Sequence, residues 1–190
     1  MAILVFDDVE VLDFAGPFEV FSVTDELRSR EAFSVCTVAP RPGPIRARNG
    51  LKVVPEFTLE NCPPPHILVV PGGQGTRALL GDGVILKWIH EQSRTAEVTM
   101  SVCTGSLLLG KAGLLDGLRV TTHHLVLDLL REVAPRANVD PGARFHDNGR
   151  ILTSAGVSAG IDCSLHLVGR LLGEAAAAET ASHMEYERRH

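Results

Sequence analysis

The chain has 190 residues, 45% of them apolar, which is enough for one full-sized core and too few for two comfortable domains, so residues 1–190 are expected to form a single domain. Its 18 Lys and Arg against 23 Asp and Glu give a formal net charge of −5 with no block of like charge, which excludes the basic footprint of direct nucleic-acid binding. The opening MAILVFDDVEVLD is too short an apolar run to span a bilayer and lacks the basic start of a signal peptide, so no membrane partner and a cytoplasmic location are expected.

In chain order, Ile3 to Phe6 reads as a strand and Phe14 to Leu27 as a helix with Pro17 in its first turn. Phe33 to Ala39 is the next strand, and Lys52 to Val54 reads as a short hairpin or edge strand after Asn49-Gly50. Ile67 to Val70 is a continuous apolar strand stopped by Pro71-Gly72-Gly73, and helical segments follow at Thr76 to Leu80 and Val84 to Gln92. The strand Val98 to Val102 runs into the apolar helix Leu107 to Ala112. A strand at Arg119 to Thr122 and a helix at Leu125 to Val133 come next, then Arg144-Phe145 and Ile151 to Thr153 flank the hairpin turn Asp147-Asn148-Gly149. Helices at Val157 to Leu172 and Ala175 to about Arg188 close the chain, with EYERRH as a frayed end. Alternating β and α segments with fully apolar strands predict an α/β sandwich, a mainly parallel sheet with helices on both faces.

Ligands of such sheets bind beyond the C-terminal ends of the strands. Three loops therefore meet on one rim: Asp7 to Asp13, Pro71 to Gly75, and Cys103 to Gly105. Cys103, in SVCTGS, sits where a strand turns sharply into a helix, with the small residues Ser101 and Gly105 two positions to either side, the cysteine counterpart of a nucleophile elbow. There a thiol points to solvent, and the free amides of the helix start lower its pKa and can hold developing negative charge. The alternative is a core cysteine. In PGGQG, which matches neither a Walker loop nor a dinucleotide fingerprint, the Gly73 amide could join that of Thr104 in an oxyanion pocket; the loop also suits a plain tight turn.

Of the other cysteines, Cys36 and Cys163 read as core and Cys62 as a loop thiol; with no C-x-x-C pair, reduced thiols are expected. At most one of His123 and His124 faces the rim, because neighbouring strand residues point to opposite faces, and His123 is the pocket-lining candidate. No second ligand stands at a metal-binding spacing, so no metal and no cofactor are expected. Asp13 suits either an acid or a helix N-cap, while Glu10 and Glu19 read as solvated.

LDFAGPFEVF, VVPGG, SVCTGSLLLGKAGLLDG, TTHH and TSAGVSAGID together resemble the ThiJ/PfpI group of the class I glutamine amidotransferase-like superfamily over nearly the whole chain. The resemblance implies a flavodoxin-like sandwich, a homodimer, and a cysteine nucleophile with an acidic residue from the first loop reaching its sulfur. Within the group the motifs look most like isonitrile hydratases and the amidotransferase-like domains of AraC-type regulators. By that likeness Asp13 maps onto the acid, Cys103 and Thr104 onto the Cys-Thr pair, and His123 onto a position near the cysteine; with Gly72 and Gly73 of the glycine loop, His123 is expected to bind the small-molecule substrate. Glyoxalase branches carry a Glu where this chain has Asp13, the peptidase branch carries a His where it has Thr104, and the His-Glu partners of glutamine amidotransferases are absent. The likeness thus implies hydration of an isonitrile to an N-substituted formamide, or a glyoxalase-type reaction, or an electrophile- or oxidant-sensing domain without turnover. No helix-turn-helix follows, so the sensor reading makes the chain half of a regulator.

Overall fold

The computed structural model describes residues 1–189. The chain forms β1 (Ala2–Leu4), α1 (Val11–Leu27) and β2 (Cys36–Ala39), then a small antiparallel pair of β3 (Ile45–Arg46) and β4 (Lys52–Val53). There follow β5 (Phe57–Thr58), β6 (Ile67–Val70), the single turn α2 (Thr76–Leu79) and α3 (Gly83–Thr95). The second half holds β7 (Val98–Val102), α4 (Gly105–Lys111), β8 (Arg119–Val120), α5 (Leu127–Val133) and β9 (Asn138–Val139). The chain continues through β10 (Phe145–Asp147) and β11 (Ile151–Ser154) into α6 (Ala159–Leu172) and α7 (Glu174–His183).

Seven strands make one sheet in the order β10-β11-β7-β6-β1-β2-β5, parallel except for the β10–β11 edge. Strands β6 and β7 are buried at every position, the mark of central parallel strands covered on both faces. Helices α1, α6 and α7 pack on one another, and α4 packs on α3 and α5, giving the two helical layers of the expected flavodoxin-like sandwich. From β1 the chain winds outward through β2 to β5, then crosses to β6 on the other side of β1. The loops after β1 and β6 therefore diverge at a switch point, the crevice where such sheets bind ligands.

Several expectations need correction, and the second strand is one of them, starting at Cys36 and not at Phe33. Helix α1 starts three residues before Phe14, because the Glu10 amide is anchored on the Gly72 carbonyl at 3.0 Å and the chain turns straight into the helix. Pro17 therefore lies inside the helix, where it lacks the amide that would bond the Asp13 carbonyl. Two short strands escaped the pattern, β5 at the sheet edge and β9 beside β8, each only two residues long.

The last helix ends at His183, not near Arg188. Glu185 adopts a left-handed conformation (φ 49°) and the chain doubles back, so that the Tyr186 hydroxyl and the Arg189 amide donate to Asp162 at 3.1 and 2.8 Å. His190, the last residue of the supposed frayed end, lies outside the described residues. Asp162 is fully buried and also accepts from Arg144 Nε at 2.6 Å. Losing one partner of such a pair strands a charge in the interior, so Arg144→Ala is expected to lower stability by about 3 kcal/mol in urea denaturation, part of it regained in the Arg144→Ala/Asp162→Ala double variant.

Candidate active site

Cys103 lies between β7 and α4 with φ 56°, a left-handed backbone that non-glycine residues seldom adopt. The surrounding chain enforces it. The Cys103 amide is held by the carbonyls of Ser154 and Ala155 at 3.2 and 3.1 Å, and its carbonyl accepts from the hydroxyls of Thr122 at 2.9 Å and Ser106 at 3.1 Å. The turn can close because residue 105 is glycine, where a Cβ would come within 2.0 Å of the Val70 carbonyl oxygen.

The elbow does not carry the sulfur into open solvent. Cys103 is 5% exposed, at the floor of a cleft of about 170 Å³. Burial pushes its thiol up to about 12, and the Asp13 carboxyl beside it adds to that, against the opposing pull of the Thr104 and Val157 amides that point at the sulfur. The expected lowering by the helix start is therefore outweighed.

Asp13 is the third residue of α1, not its cap; Glu10 occupies the cap position. Its carboxyl is completely buried, raised to about 7 chiefly by desolvation, and tied to the Gly72 amide (Oδ2, 3.0 Å) and the Cys103 thiol. Oδ1 makes no hydrogen bond among the described residues. A carboxyl and a thiol held together this way resist ionising at the same time, and above pH 7 the pair retains one proton between them.

The glycine loop works differently from the expectation. A Cβ on Gly72 would meet the Thr104 amide at 2.5 Å and Asp13 Oδ2 at 2.8 Å, so only glycine lets the Asp13-bearing helix and the elbow close on each other. The Gly73 amide donates to Thr104 Oγ1 at 2.9 Å, and that hydroxyl donates back to the Gly73 carbonyl at 3.1 Å. The expected oxyanion pocket of Gly73 and Thr104 amides is thus not assembled; the two amides aimed at the sulfur belong to Thr104 and Val157. Val157 does this at φ 48°, a strained backbone for a β-branched residue.

Of the residues singled out in the sequence, Cys103, Thr104, Gly73 and His123 line the cleft, while Asp13 and Gly72 sit behind its floor. His123 stacks on the more exposed His124 with ring centroids 4.3 Å apart, and burial together with His124 and Arg77 holds it below the usual histidine range. Glu10, expected to be solvated, also lines the cleft and pairs with Arg48 at 3.6 Å. Arg48, Arg77 and Val157 gave no readable sign, since each reaches the cleft through loop geometry alone. Cys163 is core as expected; Cys36 is only partly buried, and its thiol donates to the Met1 carbonyl at 3.2 Å. Among the described residues no group of three or more His, Cys, Asp or Glu could hold a metal ion, and no helix is long and apolar enough to cross a membrane.

The sequence pattern of the DJ-1/PfpI family matches residues 1–170. An isonitrile hydratase from Pseudomonas putida is 35% identical over 183 residues, 96% of this chain and 76% of that protein. The HTH-type transcriptional regulator GbdR from Pseudomonas aeruginosa is 30% identical over 186 residues, 97% of this chain but only 50% of the regulator, so the chain spans about half of that relative. Among solved structures, a ThiJ/PfpI family protein from Pseudomonas syringae superposes with a TM-score of 0.89 at 32% identity, covering 100% of this chain and 76% of that one.

The raised carboxyl has a consequence for stability. Unfolded, Asp13 loses its proton near 4; folded, it keeps it to about 7. The folded state thus binds the extra proton across this window, and the contribution is fully present below pH 4 and lost as pH rises through 7. Melting temperatures of wild type and Asp13→Asn measured from pH 4 to 8 are expected to diverge, with wild type falling relative to the variant as pH rises.

Proposed function

Because the chain belongs to the DJ-1/PfpI family, we propose that it is a small-molecule enzyme of the isonitrile hydratase type, in which Cys103 is the nucleophile and Asp13 moves the proton. The observation that carries this reading is the one-proton pair of Cys103 and Asp13 beneath a small cleft. The 35% identity to an isonitrile hydratase over nearly the whole chain supports the choice of substrate.

In the reactive form the pair holds a single proton. It leaves the thiol for Asp13 as sulfur adds to the terminal carbon of the isonitrile, and Asp13 delivers it to that same carbon, giving an enzyme-bound thioimidate, R–N=CH–S–Cys103. The ionised Asp13 then takes a proton from water, whose oxygen adds to the thioimidate carbon, and passes that proton to the nitrogen, giving R–NH–CH(OH)–S–Cys103. Collapse of that adduct breaks the C–S bond, releases the N-substituted formamide and returns the proton to the pair. One water is consumed, and nothing is oxidised or reduced.

The amides of Thr104 and Val157 stabilise the sulfur as it gains and loses charge. The Thr104 hydroxyl, committed to Gly73, positions the loop rather than the substrate. Thr104 has no imidazole to offer, so a thiol at about 12 lacks the adjacent base that peptide bonds demand.

A second reading is favoured by the match to half of a transcriptional regulator: a domain whose cysteine captures an electrophile without turnover. Assaying cyclohexyl isocyanide hydration by formamide release separates the two. Wild type is expected to turn over, Cys103→Ala to lose at least about a thousandfold in kcat, and Asp13→Asn about a hundredfold with its fold intact. Stoichiometric sulfur modification with no formamide would favour the sensor. Since the reactive pair carries one proton, kcat/KM is expected to rise with pH through about 7, following Asp13.

A further inference from the structure

The rim of the cleft carries charge that the hydration reaction does not use. Four ionisable side chains line it: Glu10, Arg48, Arg77 and His123. Arg48 faces Glu10 at 3.6 Å, so that pair cancels. His123 is held toward its neutral form. Arg77 remains, and among the described residues no carboxylate pairs with it.

Its placement is fixed all the same. Arg77 Nη1 donates to the Gly73 carbonyl at 3.1 Å and to Thr76 Oγ1 at 3.2 Å, the same carbonyl that accepts from Thr104 next to the nucleophile. Among the described residues Nε and Nη2 make no hydrogen bond, which leaves donors of the guanidinium fork unspent at the mouth of the cleft. A planar fork held at one nitrogen and open at the others matches a carboxylate. Two partners on one nitrogen also reduce the entropy lost when a ligand binds the rest.

We propose that Arg77 is a specificity residue, and that the compound reaching Cys103 is a small electrophile bearing a carboxylate, which the guanidinium engages while the reacting carbon lies over the sulfur. This rests on the reading that Cys103 attacks small electrophiles, and names the class among them.

Iodoacetate and iodoacetamide test it without any need for turnover. In both, the sulfur attacks the methylene carbon, a C–S bond forms, the C–I bond breaks and iodide leaves; the reagents differ in charge and little in size. Rates at the Cys103 peptide are to be followed by mass spectrometry at one pH for wild type, Arg77→Gln and Arg77→Lys. The iodoacetate-to-iodoacetamide rate ratio is expected to fall about fivefold in Arg77→Gln, the scale of one partly exposed charge pair, to recover partly in Arg77→Lys, and to shrink in wild type at high salt. Iodoacetamide alone should react at a similar rate in all three.

An unchanged ratio in Arg77→Gln, or equal slowing of both reagents, would overturn the proposal, the latter marking a purely structural role. If isonitriles fail as substrates while the ratio behaves as expected, the hydratase reading fails and the carboxylate preference stands.

Discussion

A carboxyl buried against a thiol is the constraint around which this end of the molecule is arranged. Asp13 has no exposure to water, and its charge is supported mainly by the Gly72 amide and the Cys103 thiol. Sharing one proton is the low-cost state of such a pair. The same burial that raises both groups keeps bulk water from stabilising the sulfur, so charge that develops there must be met by backbone amides. Those amides come from Thr104, after β7, and from Val157, after β11.

The strain in this region follows from that requirement. Both Cys103 and Val157 are left-handed, and neither residue type chooses that conformation. Cys103 is locked by hydrogen bonds on both its amide and its carbonyl, from segments after β8 and β11 as well as from α4. Close approach needs missing side chains as well, at Gly72 under Thr104 and at Gly105 under Val70. The parallel sheet makes the convergence possible by delivering β1, β6, β7 and β11 to one edge, with the switch point between β1 and β6 opening the crevice above.

What could be read from the sequence follows from the reach of each signal. Strand β6 is a continuous apolar run stopped by Pro-Gly-Gly and β7 a short β-rich run ending at the elbow, and their limits match the expectation residue for residue. Cys103 and Thr104 were legible because an elbow has a local composition, and Asp13 because its motif resembles a family. Position 13 inside the helix was not legible, since α1 begins where a distant carbonyl, that of Gly72, anchors Glu10. The direction of the thiol shift was misjudged for a related reason: the helix start is a local feature, while burial and Asp13 arrive from elsewhere in the fold. Arg48 and Arg77 reach the cleft by geometry that no spacing encodes.

The most direct measurement of the shared proton is a parallel titration of its two holders, with Asp13 followed by carbon NMR of the labelled carboxyl and Cys103 by ultraviolet thiolate absorbance against a Cys103→Ala blank. The expected result is a carboxyl midpoint near the raised value of about 7, with no thiolate from Cys103 until well above the ordinary cysteine range. A carboxyl that ionises near 4, with a thiolate already present at neutral pH, would contradict the account and make Cys103 an independently activated nucleophile.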